Sequence, residues 1–448
     1  MNPLNQQTSA QSKWSRRSFL AAAGAAPLAV HTLAAAAAEG TAPNDRIQMG
    51  FIGLGTMGTS NLKYAMQISD IEVVAVCDVY QPHLDRAVAE AQKAGHQPRA
   101  IKDFREVLAD PSIDAVCIST PDHWHAYMMI EACKAGKDVY VEKPACIFVE
   151  EGLKMVEAAR RYDRIVQAGT MQRSGGYFQK AASILQSGTL GEVTFCRLSQ
   201  YSNKPVAGIG RFPDTAPPEG LDWDMWLGPA PLKPFNEARW RPATETWATF
   251  RYFWDYAGGK LTDWGVHLLD TMHFVFRDQF MPRSVVALGG KLHYEDGTET
   301  PDTLTTVLEY PGFITNSECV SGSTHVPLGR DASTAFHGTE ATLVVNRGGC
   351  YLMPEKTSKL KSMGETSEEL KEMNLPHWKN FVECVRSRQK PIAEIETCVR
   401  STIPLLLANI SYRFKTRVDW DEAQSTVLQE QVKEQLKARY RDPWKLEV

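Results

Sequence analysis

The nine cysteines are scattered, with no Cys-x-x-Cys pair and no metal-ligand spacing. That leaves out a sequence-readable zinc or iron–sulfur site, and the odd cysteine count argues against a disulfide framework. Cys77 and Cys117 fall in apolar, strand-like runs, where a packing role is expected. There is no Lys/Arg-rich run, and the formal net charge is only −4, so nucleic acid is not an expected partner. Beyond residue 40 no segment has the length and apolarity to span a bilayer. What is present, 448 residues with 43% hydrophobic and 23% charged, matches a soluble globular chain with room for two domains.

Residues 1–40 stand apart. Ser15-Arg16-Arg17-Ser18-Phe19-Leu20 precedes a soft Ala-rich run and a small-residue zone at Ala34 to Ala38. This reads as a twin-arginine export signal, with the mature protein expected in the periplasm or outside the cell. A membrane anchor is the other reading. Against it, the run from Phe19 to Ala38 barely reaches spanning length and contains Pro27 and His31. Twin-arginine substrates fold before export, which suits reduced cysteines.

From Arg46, short apolar runs alternate with amphipathic ones. Strands are predicted at Ile47–Ile52, Glu72–Cys77, Ala115–Ser119, Asp138–Val141 and Ile165–Ala168, with helices between them. This rhythm predicts a parallel, doubly wound α/β sheet over 46–168. After Gly169, strand-like runs follow one another at Val193–Gln200, Ser284–Leu292, Thr303–Glu309, Ile314–Val320 and Ala341–Val345. They predict an α+β domain over 169–415 with a large, mainly antiparallel open sheet and helices at Leu261–Phe276 and His377–Arg386. Residues 416–448 are expected to form a C-terminal tail. The aperiodic Pro- and Trp-rich stretch Pro205–Trp254 is expected to be a functional loop.

Three motifs carry chemistry. Gly53-Leu54-Gly55-Thr56-Met57-Gly58 follows a strand and opens a helix, as a dinucleotide-binding turn does. Asp78, 20 residues beyond Gly58, ends the second strand, where a carboxylate can bond ribose hydroxyls. It would repel a 2′-phosphate, and Val79-Tyr80-Gln81 supplies no arginine, so the expected cofactor is NAD. Next, Glu142-Lys143-Pro144 follows a strand, at the ligand edge of the sheet. A cation there can stabilise negative charge developing on a substrate oxygen, although Glu-Lys-Pro is also a common surface turn. Last, Asp263 and His267 are spaced to share one helix face, and the histidine can take a hydroxyl proton. A helix cap plus a packed histidine is the competing reading. Six of the eleven tryptophans fall between Trp223 and Trp264. Trp254 and Trp264 are candidates for stacking on a sugar, with core packing as the alternative.

In this order the residues resemble the glucose–fructose oxidoreductase / inositol dehydrogenase / rhizopine-catabolism (Gfo/Idh/MocA) family, over roughly Arg46 to Arg413. Ser119-Thr120-Pro121-Asp122-His123-Trp124-His125 is similar to the family's Thr-Pro-Asn-x-x-His, with Asp122 where the family usually has Asn. Ala135-Gly136-Lys137 through Glu142-Lys143-Pro144 is close to the family's Ala-Gly-Lys-x-Val-x-x-Glu-Lys-Pro. The resemblance implies a Rossmann domain plus an open-sheet domain whose sheet face commonly makes a dimer. It implies that Lys143 contacts the reacting hydroxyl while His267 is general base, assisted by Asp263. Glu142 would hold the nicotinamide ribose, and Thr120, Pro121 and His125 would line the cofactor cleft. Gln172 would reach that cleft too, and Arg173 the substrate.

The leading expectation is an NAD-dependent oxidoreductase acting on a sugar, polyol or glycoside hydroxyl, as a homo-oligomer. The alternative is an NAD-dependent glycoside hydrolase or lyase working by transient oxidation, elimination and hydride return. The related α-N-acetylgalactosaminidase-like enzymes replace the Lys of Glu-Lys-Pro, so an intact Lys143 favours dehydrogenation. A sensor that has kept the fold and lost the chemistry would not need Lys143, Asp263 and His267 together. Export implies a tightly held NAD that each cycle must restore.

Overall fold

The computed structural model describes residues 45–202, 208–241, 248–277, 281–326, 328 and 332–448. Residues 1–40, with the expected twin-arginine signal, lie outside them. β1 (Ile47–Ile52), β2 (Ile71–Cys77), β4 (Ala115–Ile118) and β5 (Asp138–Val141) are nearly continuous buried runs. Strands covered on both faces have this composition. With β3 (Arg99–Ile101) and β6 (Val166–Ala168) they form one sheet of order 3-2-1-4-5-6, every neighbouring pair parallel. The helices between the strands are α1 (Thr56–Ala65), α2 (Gln81–Lys93), α3 (Phe104–Ala109), α4 (Asp122–Lys134) and α5 (Val149–Arg161). The order reverses between β1 and β4, and a ligand crevice opens at the carboxyl ends of such strands.

After α6 (Gly176–Gln186), a ten-stranded sheet follows. Its order is β16 (Met363–Glu365), β15 (Gly349–Pro354), β14 (Ala341–Asn346), β13 (Ser333–Gly338), β7 (Val193–Ser202), β12 (Phe313–Ser321), β11 (Thr303–Tyr310), β10 (Ser284–Gly290), β17 (Val418–Asp421) and β18 (Thr426–Val427). Only β7 and β12 pair in parallel. Its strands alternate, with Leu304, Thr306 and Leu308 buried and Val307 exposed. One face packs on helices, while Val286, Leu288, Val307 and Ile314 stand exposed on the other.

Three features depart from the linear reading. α10 (Asn374–Ser387) returns to cover the parallel sheet, and Trp378 stacks on Tyr140 at 4.3 Å. The expected tail instead adds β17 and β18 to the open sheet, then runs back to the first domain. There Trp444 packs edge-on to Trp124 and Tyr127 at 4.9 and 5.2 Å. Finally, the expected helix Leu261–Phe276 is two helices, α8 (Gly259–Asp263) and α9 (Gly265–Phe276), separated by a turn at Trp264. α7 (Trp223–Leu227) and α11 (Ile395–Phe414) complete the α-helices among the described residues, and β8 (Asp214–Thr215) pairs with β9 (Phe235–Asn236) apart from the two large sheets.

Candidate active site

The glycine turn shows which of its glycines the protein needs for itself. Gly53 has φ +82°, and a Cβ there would lie 2.7 Å from Thr120 N. A Cβ on Gly58 would lie 1.8 Å from Gly53 O, inside the strand–helix contact. A Cβ on Gly55 would meet nothing within 4 Å. Only a ligand has a use for that space, and a pyrophosphate needs this close approach to the backbone. The first turn of α1 carries no acidic residue and no side-chain cap, so its N–H groups remain available to an anion.

Asp78 closes the turn. Its Oδ2 accepts from Leu54 N at 2.6 Å and its Oδ1 from Tyr80 N at 2.9 Å. Leu54 itself is fully buried and contributes backbone. The walls of the cleft above include Gly53, Gly55, Thr56, Met57 and Asp78. Thr120, Pro121, His125, Glu142 and Lys143 line it too. His125 braces two of its loops, with Nδ1 2.7 Å from Pro144 O and Nε2 2.8 Å from Thr120 O. These residues fit a dinucleotide.

At the other end, Lys143 Nζ donates to Asp263 Oδ1 at 2.7 Å and to Asp263 O at 3.0 Å. Arg251 Nε lies 3.1 Å from Asp263 Oδ2. Burial pushes the Asp263 carboxyl up, but Arg251 and Lys143 outweigh it and hold it well below the usual carboxylate range. Glu142 accepts from Asn61 Nδ2 at 2.9 Å and from Lys143 N at 3.2 Å. Burial raises its pKa. Asp122 lines the same cleft, and burial pushes it up to about 8 against the pull of Arg251 and Lys143. A protonated Asp122 has the shape of asparagine and, like it, is uncharged.

His267 is buried, and its Nδ1 has no hydrogen-bond partner among the described residues. Burial, then Lys143 and Arg347, keep its pKa well below the ordinary value, so the imidazole is neutral. The turn at Trp264 corrects the expected Asp263–His267 pairing: no hydrogen bond joins them, because Asp263 is turned to Lys143 and Arg251. Gln172 sits behind His267, not in the cofactor cleft. Its Nε2 donates to Thr271 Oγ1 at 2.8 Å, and its Oε1 accepts from Arg347 Nε at 3.1 Å.

Two expected substrate contacts lie elsewhere. Arg173 is held bidentately by Asp270, Nε to Oδ2 at 2.7 Å and Nη2 to Oδ1 at 2.8 Å, and both residues are buried. Trp254 faces a separate cavity, with the Arg413 guanidinium 4.9 Å over its ring. Trp264 does lie at the site, 5.7 Å from the His267 ring and covered by the Arg347 guanidinium at 4.5 Å. Trp223 and Trp226 stack on each other at 4.6 Å in a small core of their own, which bears out packing for that pair. Trp226 and Trp240 also border the cleft. Arg251 and Arg347 were not legible as site residues. One lies in the aperiodic segment and the other in the turn Asn346-Arg347-Gly348-Gly349, which reads as an ordinary hairpin.

A model of the oxidoreductase family with an NAD-binding Rossmann fold matches residues 47–170, and one of that family's C-terminal alpha/beta domain matches 179–305. A glycosyl hydrolase family 109 protein of Shewanella baltica is 36% identical over 169 residues, 33% of this chain. The chain spans 37% of the length of that relative. Among solved structures, the WlbA dehydrogenase of Bordetella pertussis, in complex with NADH and UDP-GlcNAcA, has a TM-score of 0.61 at 20% identity, over 84% of this chain and 99% of that one. The scyllo-inositol dehydrogenase of Lactobacillus casei, solved with NAD(H) and scyllo-inositol, has a TM-score of 0.61 at 19% identity, with the same coverage.

Proposed function

The chain belongs to the Gfo/Idh/MocA oxidoreductase family, and from that premise we propose that it oxidises a hydroxyl of a sugar, polyol or glycoside with NAD. The observation that carries this reading is the buried Lys143–Asp263–Arg251 cluster at the mouth of the dinucleotide cleft, with a neutral imidazole nearby. The Gly53–Gly58 turn, Asp78, Thr120 and Pro121 would hold the cofactor, with Glu142 and Asn61 at its reactive end. NAD, when bound, supplies the two-electron oxidation of an alcohol carbon. Lys143 Nζ donates to the substrate oxygen and stabilises the negative charge that grows there. Asp263, ionised and shared with Arg251, fixes Lys143. Neutral His267 has a lone pair for the hydroxyl proton, which makes it the general base. It acts without the direct Asp263 hydrogen bond that the helical spacing suggested.

The glycosyl hydrolase family 109 relatives support a second reading, a glycoside hydrolase or lyase of net redox-neutral outcome. Export through the twin-arginine route with NAD aboard belongs to the same proposal, as does self-association through the exposed apolar sheet face. The test is to purify the mature protein, measure released nucleotide, and assay free sugars and aryl glycosides. NADH formed from free sugars supports the leading reading. Aglycone release without net NADH moves it to the second, and neither activity refutes both. Arg16→Lys with Arg17→Lys should hold the protein in the cytoplasm, and an unchanged periplasmic fraction would overturn the export proposal.

A further inference from the structure

Arg347, near His267, has no carboxylate at ion-pair distance among the described residues. The two arginines buried nearby meet carboxylates: Arg173 meets Asp270, and Arg251 meets Asp263. Arg347 instead has two neutral contacts, Nε to Gln172 Oε1 at 3.1 Å and its plane on Trp264 at 4.5 Å. Neither contact uses Nη1 or Nη2. Those contacts fix the plane of the fork and leave its two terminal nitrogens uncommitted. A half-buried guanidinium without an anion is a cost that a bound oxyanion would offset. Because the fork is planar, it suits a carboxylate or phosphate bidentately.

The charge around it points the same way. Arg251 and Lys143 hold one carboxylate, Asp263, ionised, and Arg347 is a third cation near it, while burial pushes Glu142 and Asp122 toward their neutral forms. Trp264 links Arg347 to the site: its ring lies 5.7 Å from that of His267 and 4.5 Å under the Arg347 guanidinium. Trp264 takes that face of the guanidinium, which leaves the fork edge for the ligand.

We propose that Arg347 is the anion-binding arm of the substrate site, and that the carbohydrate taken there carries a carboxylate or a phosphate. This deepens the oxidoreductase reading and rests on it only for placing the substrate beside His267. Arg347 is then a specificity-determining residue: it grips the substrate away from the reacting carbon, and Gln172 and Trp264 hold it in place.

The test is calorimetric binding to the mature protein as purified, with D-glucuronate, D-glucose 6-phosphate and D-glucose as probes. One or both anionic probes should bind about ten- to a hundredfold tighter than glucose, the scale of a charge-assisted bidentate contact. The two anionic arms tell carboxylate from phosphate. Arg347→Gln should abolish the preference, binding the formerly preferred anion no tighter than it binds glucose. Arg347→Lys, which keeps the charge without the fork, should keep part of the preference. If Arg347→Gln fails to fold, Arg347→Lys decides, and full wild-type preference in it overturns the fork. Equal affinity of wild type for all three probes overturns the proposal, as does an anion preference that survives in Arg347→Gln. A failure of NAD chemistry would appear instead as absent NADH formation, which this binding measurement does not need.

Discussion

Lys143 and Asp263 stand 120 positions apart in the chain, yet Nζ and Oδ1 are 2.7 Å apart, and each side chain is about a tenth exposed. The pair ties the carboxyl edge of the parallel sheet to the helices of the second domain. Lys143→Ala and His267→Ala should each lower turnover by about two orders of magnitude or more, the scale of lost electrostatic or acid–base help. Steady-state kinetics checks this, and near-normal rates in either variant would remove the role given to that residue.

Removing the carboxylate is worse for the fold than removing a neutral group. Asp263→Ala leaves Lys143 and Arg251 buried with no anion between them, at a cost of about 3–5 kcal/mol. A denaturant titration should show the midpoint falling accordingly. A loss under about 1 kcal/mol would mean that solvent screens the cluster.

Gly55 and Gly58 separate binding from folding. Gly55→Ala places its Cβ in open space, so the melting temperature should hold while NAD affinity falls about tenfold or more. Gly58→Ala drives a Cβ against Gly53 O and should destabilise the fold itself. Thermal melts with and without NAD distinguish the two.

Cofactor choice turns on Asp78. Asp78→Ser with Val79→Arg should raise the NADP-to-NAD preference ratio at least about tenfold, since it removes the repulsion and supplies a cation. The variant also loses the bonds from Leu54 N and Tyr80 N, so some stability should go with it. An unchanged ratio would sink the assignment.

Asp122 makes stability depend on pH. Its folded pKa of about 8 lies above its ordinary 3.8, so the folded protein keeps a proton that the unfolded chain releases. Stability therefore falls as pH rises from about 4 toward 8. His267, held neutral, acts in the opposite sense below its ordinary 6.5. Comparing wild type with Asp122→Asn isolates the carboxyl: the variant should lose less stability between pH 5 and pH 8. Parallel curves would mean that Asp122 is ionised.

The linear order of residues was enough for the first domain and its cofactor. Parallel strands buried on both faces must be continuously apolar, and a dinucleotide turn is built from neighbours in the chain, so Gly53, Gly55, Gly58 and Asp78 were readable. The antiparallel sheet was legible where strands alternate. β13, β15 and β16 carried no period clear enough to be read.

Tertiary structure alone decided the rest. Arg173, next to Gln172 in the chain, looked like a pocket residue until Asp270, 97 positions away, claimed it. Arg251 and Arg347 lie in segments without periodicity and become site residues only when folding brings Asp263, Gln172 and Trp264 to them. A charge's role depends on which opposite charge reaches it within a few ångströms in a buried place, and that is a property of packing across long sequence separations.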